Sequence, residues 1–298
     1  MKLTVLTPTY NRCDLLEKLY NSLENQTVKN FVWMIVDDGS SDKTECMVST
    51  FVKEASFPVE YIKKKNGGKH TALNIGISNV TTELVIVVDS DDTLTPNAVE
   101  IVLKIHKKFN KCSAICGYSF LRVFPDGKIN GQVFPKDRWI SSYIEARINS
   151  NDIYSDKAEV FFSSILKKYP FPEYPGEKFL GEDIVWIRMS KKYKMVHINK
   201  GIYVSQYLND GLTVNRRKNN IKSPIGCMNR AKEYLCPQIK IKYRIRGAVQ
   251  YVVYGKFASR NFFDLIQNTS YRALVLAVYI PSLVIFNIWK RSYSSIMQ

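Results

Sequence analysis

Two stretches of the chain are apolar at every position rather than at every second one: Phe31-Val32-Trp33-Met34-Ile35-Val36 and Leu84-Val85-Ile86-Val87-Val88. Continuous runs of this length, rich in β-branched residues, read as strands covered on both faces, the pattern of a parallel sheet between helical layers. Leu3 to Thr7 reads as a first strand broken at Pro8, and Val59-Glu60-Tyr61-Ile62 as a third in chain order. Between them the period changes. Leu15, Leu16, Leu19 and Leu23 share one helical face, as do Met47, Val48, Phe51 and Val52. Thr95-Pro96 supplies an N-cap and an N1 proline for a helix ending near Lys108. This alternation predicts an α/β fold, an open doubly wound sheet with Leu84 to Val88 as a central parallel strand. Beyond Cys112 the pattern turns antiparallel: Ser113 to Phe124, a turn at Pro125-Asp126-Gly127, then Lys128 to Phe134.

The chemistry sits where the apolar runs stop. The second ends in Asp37-Asp38-Gly39-Ser40-Ser41-Asp42, and the fourth in Asp89-Ser90-Asp91-Asp92-Thr93. Crowded carboxylates repel one another and call for a cation, and hard oxygen ligands suit Mg²⁺ or Mn²⁺. The carboxyl ends of sheet strands are also where open α/β sheets bind ligands. A solvated acidic turn capping the next helix is the bland alternative. Asp42 with Glu45 resembles a capping box, leaving the Asp37-Asp38 pair for other work. Gly67-Gly68-Lys69, after three lysines and ahead of a helix, reads as a phosphate cradle built from backbone N–H groups, or as a plain flexible loop. A loop shaped by Pro170, Pro172, Pro175, Gly176 and Gly181 delivers Glu182-Asp183 to a helix with Ile184, Ile187 and Met189 inward. Those acids either complement the helix N-terminus or supply a general base. No Gly-x-Gly-x-x-Gly follows the first strand and no Gly-x-x-x-x-Gly-Lys-Ser/Thr occurs, which argues against dinucleotide-binding and P-loop proteins.

Taken in order and at these separations, Thr7-Pro8-Thr9-Tyr10-Asn11-Arg12, Asp37-Asp38-Gly39-Ser40-Ser41-Asp42, Asp89-Ser90-Asp91-Asp92 and Gly181-Glu182-Asp183 resemble the motif set of family 2 glycosyltransferases. The resemblance covers roughly residues 1 to 210. It implies the GT-A fold, a mixed sheet flanked by helices, with a catalytic domain over 1–222 and a helical extension over 223–298. It implies transfer of a sugar from a nucleotide diphosphate, most often UDP, with inversion. It implies Asp183 as catalytic base, Asp91 with Asp89 as ligands of Mn²⁺ or Mg²⁺, and Asp38 at the nucleotide base. Thr7, Pro8, Tyr10, Arg12, Gly68, Lys69, Asn74 and Ser90 are expected to complete the nucleotide-sugar pocket, with Arg216 and Arg217 closing over the diphosphate. The resemblance gives Asp92 no role. Asp210-Gly211-Leu212-Thr213 is similar to a segment of bacterial polysaccharide-building members, which points to capsule, lipopolysaccharide or exopolysaccharide assembly and a glycan or polyprenyl-diphosphate-linked acceptor. The glycine-rich Arg/Lys signature of a sugar nucleotidyltransferase is missing after the first strand, where Thr7-Pro8-Thr9-Tyr10 stands instead. A non-catalytic assembly partner is expected to lose an acid that this chain keeps.

Charge changes the picture at the C-terminus. Of 43 Lys and Arg, 15 lie beyond residue 210, against two of the 27 acids, Glu233 and Asp264. The net charge of +16 therefore sits mostly there. Aromatic residues are interleaved with it, and the apolar run Ala273 to Trp289 follows, interrupted by Pro281, Ser282 and Asn287 and closed by Lys290-Arg291. At 17 residues the run is marginal for spanning a bilayer and fits better as a segment lying on an anionic leaflet. A buried helix pair packed on the catalytic domain is the alternative. Nucleic acid is not expected, since no recognition motif accompanies the basic residues. Six cysteines without Cys-x-x-Cys spacing, and an N-terminus too soon interrupted by proline for a leader, suggest a reduced, cytoplasmic setting at the inner membrane face.

Overall fold

A computed structural model describes residues 1–150, 156–205 and 216–294. Strands and helices first alternate strictly: β1 (Leu3–Thr9), α1 (Cys13–Glu24), β2 (Phe31–Asp37), α2 (Thr44–Glu54), β3 (Val59–Lys63), α3 (Lys69–Asn79) and β4 (Leu84–Val87). Then come β5 (Thr93–Leu94), α4 (Ala98–Phe109), β6 (Ile115–Val123), β7 (Ile129–Asn130), β8 (Trp139–Ser141), a π-helix (Ile144–Asn149), β9 (Lys157–Phe162), α5 (Ser163–Leu166), α6 (Asp183–Ser190) and β10 (Lys194–Val204). Helices close the chain: α7 (Arg216–Lys222), α8 (Pro224–Glu233), α9 (Ile241–Phe257), α10 (Phe262–Gln267) and α11 (Arg272–Ser292).

Among the described residues the strands form one mixed sheet of order β3-β2-β1-β4-β9-β6-β10-β5. β1 runs parallel to both β2 and β4, and β2 to β3, so the carboxyl ends of four strands open on one edge. The expectation that Leu84–Val88 is parallel on both sides needs correction, because β9 enters antiparallel beside β4 and again beside β6. Side-chain alternation explains why the runs are apolar throughout. Val5, Trp33, Ile35 and Ile86 face a core shared with Leu16, Leu19, Val48, Phe51 and Val102 from α1, α2 and α4. Leu6, Met34, Val36 and Val85 face the opposite core with Leu73, Ile77, Ile184 and Trp186 from α3 and α6. Both faces being dry, neither register of the pleat tolerates polarity.

Several local expectations are corrected. α4 begins at Ala98, and Thr95 contributes a carbonyl to the Ala98 N–H instead of capping as a side chain. Asp42 makes no reciprocal box: it accepts from Thr44 N–H and from Cys13 N–H, holding the starts of two helices, while Glu45 pairs with Lys63. Val52 is half exposed. Pro281 does not interrupt α11, which runs unbroken for 21 residues. That length and its apolarity suffice for crossing a membrane. Yet one face of it packs on the protein through Val275, Val278 and Ser282. α8, α9 and α11 share their own apolar core, and Cys236, Ile239 and Tyr243 join a second cluster with Ile144, Ile148 and Ile187.

Candidate active site

The open edge of the sheet brings the acidic clusters together. Asp89, Asp91 and Asp92 each offer a carboxylate oxygen, all within 4.8 Å of one another. Each is approached by one cation. Lys69 Nζ stands 2.6 Å from Asp89, Arg12 3.7 Å from Asp91, and Arg122 3.5 Å from Asp92. Burial alone opposes Asp89's charge, but Lys69 and then Arg122 and Arg12 hold its carboxyl below the usual range. Asp91 is pushed up by burial and by repulsion from Asp89. Asp92 is pushed up to about 7 by the same two causes, although Tyr203 donates its hydroxyl to it at 2.7 Å. Tyr203 also accepts the Asp89 N–H and lies under the Arg122 guanidinium, so β10 and β6 hold the cluster from behind.

Lys69 links this cluster to the next. Its ammonium bridges Asp89 and Glu182, the latter at 2.7 Å. Burial would lower its affinity for a proton, and the two carboxylates more than reverse that. Beside Glu182, Asp183 opens α6. Its carboxylate accepts from Arg230 Nε at 2.5 Å, from Arg230 Nη2 at 2.8 Å and from the Tyr234 hydroxyl at 2.8 Å. Burial disfavours the charge, but Arg230 outweighs it and holds the Asp183 carboxyl below the usual range.

The remaining predicted residues fall into two groups. Tyr10 stands exposed just past the end of β1, Arg12 is half-buried against Asp91, Pro8 and Ser90 are buried, and Arg216 is near enough to contribute to the field at Asp183. Others are engaged by the protein itself. Thr7 is wholly buried and accepts from the Trp33 indole, because it lies inside β1, not beyond it. The Gly67 and Gly68 amides do not form an outward cradle: they donate to Asp38 at 2.9 and 2.7 Å. Lys64 and Asn66 complete that carboxylate's shell, which leaves Asp38 nearly buried. Gly68 has φ +96°, and a Cβ there would meet the Lys178 carbonyl. Asn74 clamps the Pro170-to-Glu173 loop, bonding Phe171 at both N–H and C=O. Arg217 stacks on Trp289 of α11. Asp210 to Thr213 lie outside the described residues. Sequence reasoning missed Arg230, Tyr234 and Tyr203, which sit on later helices and strands with no local pattern marking them.

A mixed sheet of this order, carrying an acidic cluster at the carboxyl end of β4 and a second acidic pair at the start of α6, has the GT-A architecture of the nucleotide-diphospho-sugar transferases. Residues 4–171 match the family model for Glycosyl transferase family 2, and the chain belongs to that family. The family that matches is a glycosyltransferase family, not a nucleotidyltransferase one. The GalNAc(5)-diNAcBac-PP-undecaprenol beta-1,3-glucosyltransferase of Campylobacter jejuni is 28% identical over 78% of this chain and 73% of its own length. An uncharacterised glycosyltransferase of Rickettsia felis is 32% identical over 45% of this chain, a match spanning only 23% of that larger protein. Among solved structures, S. aureus TarS with UDP-GlcNAc superposes with a TM-score of 0.61 at 17% identity, covering 96% of this chain and 80% of TarS. The Pyrobaculum calidifontis mannosyltransferase PcManGT with GDP-Man and Mn²⁺ gives 0.57 at 15%, covering 99% and 85%.

Proposed function

We propose that this enzyme transfers a sugar, with inversion, from a UDP-linked or similar nucleotide-sugar donor to a hydroxyl of a glycan or polyprenyl-diphosphate-linked acceptor. The observation that carries this reading is the approach of two carboxylate sets of different character, joined by Lys69 through Asp89 and Glu182. The donor set of Asp89, Asp91 and Asp92 fits Mn²⁺ or Mg²⁺, being all hard carboxylate oxygen brought within 4.8 Å. Such an ion would supply charge stabilisation for a departing nucleoside diphosphate. Arg12 and Lys69 bring fixed positive charge to the same edge, positioned before reaction as electrostatic stabilisation requires. Asp183 is the base: its Oδ1 carries one hydrogen bond from Arg230 and retains a lone pair to take the acceptor's proton. The mannosyltransferase with Mn²⁺, TarS with UDP-GlcNAc and the relative named for an undecaprenol-linked acceptor all support this reading.

The place of action is the cytoplasmic face of a membrane, in cell-surface polysaccharide synthesis. α11 presents Leu276, Ile280, Val284 and Ile288 outward at four-residue spacing, with Phe263 of α10 also exposed and Arg272, Lys290 and Arg291 at the helix ends. An apolar stripe bordered by cations suits an anionic leaflet. Sedimentation with phosphatidylglycerol vesicles is expected for the whole chain and is lost in the I280E/V284E double variant; undiminished pelleting of that variant would remove the membrane assignment. The chemistry is tested by nucleoside diphosphate release from UDP-glucose, UDP-galactose, their N-acetyl forms and GDP-mannose, with Mn²⁺ or Mg²⁺. Release by the wild type that persists in Asp91→Ala and Asp183→Asn would sink the assignment of those residues.

A further inference from the structure

We propose that Arg230 of α8 and Tyr234 at its C-terminal end are positioning residues for Asp183, so that the C-terminal helices complete the active site as well as extending it; this rests on Asp183 being the base. The contact is bidentate and charge-assisted, two parallel N–H···O bonds that fix the plane of the carboxylate, with the Tyr234 hydroxyl on the second oxygen. Among the described residues Oδ1 has one partner, and that directs its remaining lone pair.

The surroundings are built for this contact. A Cβ on Gly181 would stand 2.8 Å from Arg230 Nε and 2.9 Å from Asp183 Oδ1, so the guanidinium crosses over a residue that has no side chain to obstruct it. α8 is held in place independently. Glu177 accepts both the Ile225 and Gly226 N–H groups at its start, at 2.6 and 2.7 Å. Glu233 near its end pairs with Arg188 and Lys191 of the α6 region. The loop that delivers Asp183 therefore also anchors the helix that restrains it. A cut at residue 223 would strip Asp183 of both partners.

Among the described residues, the charged and titratable groups that act on Asp183 include Arg230 and Cys227 from α8, Tyr234 just after it, Arg216 from α7 and Tyr143 ahead of the π-helix. Arg230 is the only cation among them in contact. Removing it leaves the carboxyl buried with one hydroxyl donor, and its titration must then move upward.

The test is a ¹³C-carboxyl NMR titration of aspartate-labelled protein, the Asp183 signal being identified by its loss in Asp183→Asn. Arg230→Gln is expected to raise that titration by a pH unit or more. Tyr234→Phe, which keeps the ring packing, raises it by less, and Gly181→Ala moves it in the same direction by displacing the guanidinium. The acid limb of the donor-cleavage pH profile should follow the same order, with KM for the nucleotide sugar unchanged. An Asp183 titration unmoved in both Arg230→Gln and Tyr234→Phe overturns the proposal, as does an acid limb that stays put while the titration shifts. Full activity in Asp183→Asn would instead overturn the base assignment, and this proposal with it. Should Arg230→Gln fold poorly, Tyr234→Phe and Gly181→Ala decide alone.

Discussion

The carboxylates of Asp89, Asp91 and Asp92 are linked through Lys69 to Glu182, the neighbour of Asp183, yet the protein treats the triad and Asp183 oppositely. Asp183 is met by a built-in cation with two-point geometry, and its charge is stabilised before any ligand arrives. In the triad Lys69 meets Asp89 at 2.6 Å, whereas Arg12 and Arg122 stand 3.7 and 3.5 Å from Asp91 and Asp92, which burial and mutual repulsion leave resisting ionisation. The first arrangement suits a group that must stay charged and aimed, the second a group whose charge is balanced from outside. Lys69 stands between them and belongs to both.

That contrast can be broken at several points. The largest expected effect is on chemistry: Asp183→Asn should lower transfer by roughly 10² to 10⁴-fold with donor affinity preserved, the range for loss of a general base, as read by steady-state kinetics. Asp91→Ala should cost roughly 10² to 10³-fold, in keeping with removal of one electrostatic stabiliser. It should also abolish the Mn²⁺-induced rise in thermal midpoint, a stabilisation of about 2.7 kcal/mol at a hundredfold excess over Kd. An Asp91→Ala protein stabilised by Mn²⁺ as fully as the wild type would show the ion sits elsewhere.

Next is Lys69→Gln, which leaves Asp89 and Glu182 without their shared cation. Breaking a buried pair costs several kcal/mol, and because this one is about three-tenths exposed the loss should be roughly 2 kcal/mol. Denaturant titration measures it, and Mn²⁺ should restore most of it. Metal that fails to compensate would argue that Lys69 and the triad are not one electrostatic unit.

The smallest effect is a difference in sign. In chelator-treated protein, Asp183 titrates below its unfolded value, so its contribution to stability is present above about pH 4 and lost as pH falls through the folded pKa. Asp92 titrates above its unfolded value, near 7, so the folded state holds the proton more tightly and stability declines as pH rises from about 4 towards 7. Asp183→Asn should therefore flatten the acid side of the stability profile and Asp92→Asn the neutral side, as read by denaturant titration across pH. Shifts of one sign in both variants would dissolve the contrast.

Much of the fold was legible in the chain because burial on two faces leaves a strong signal. Phe31 to Val36 and Leu84 to Val87 read as covered strands since each side of the pleat meets a separate core. The acids that end them were legible too, as carboxylates at strand ends. β9 was not read as the strand that reverses beside β4, because a six-residue segment carries no mark of its neighbour's direction. Asp38, Asn74 and Thr7 were placed in an open pocket because an exposed polar residue and one that ties two loops together look alike in sequence. Whether a carboxylate faces ligand or backbone is decided by which amides approach it. For Asp38 those came from Gly67 and Gly68, 29 and 30 residues away.

The sequence by itself determined the strand-and-helix alternation, the family, the position of each acidic cluster along the chain and the basic, apolar character of the C-terminal helices. These depend on local periodicity and spacing, which survive without coordinates. Only the tertiary structure decided which charges meet. Lys69 joins residues 20 positions and 113 positions further on, and Arg230 reaches back 47 to Asp183. A charge pair is worth something only at a few ångströms and away from water, and no spacing along the chain encodes that distance.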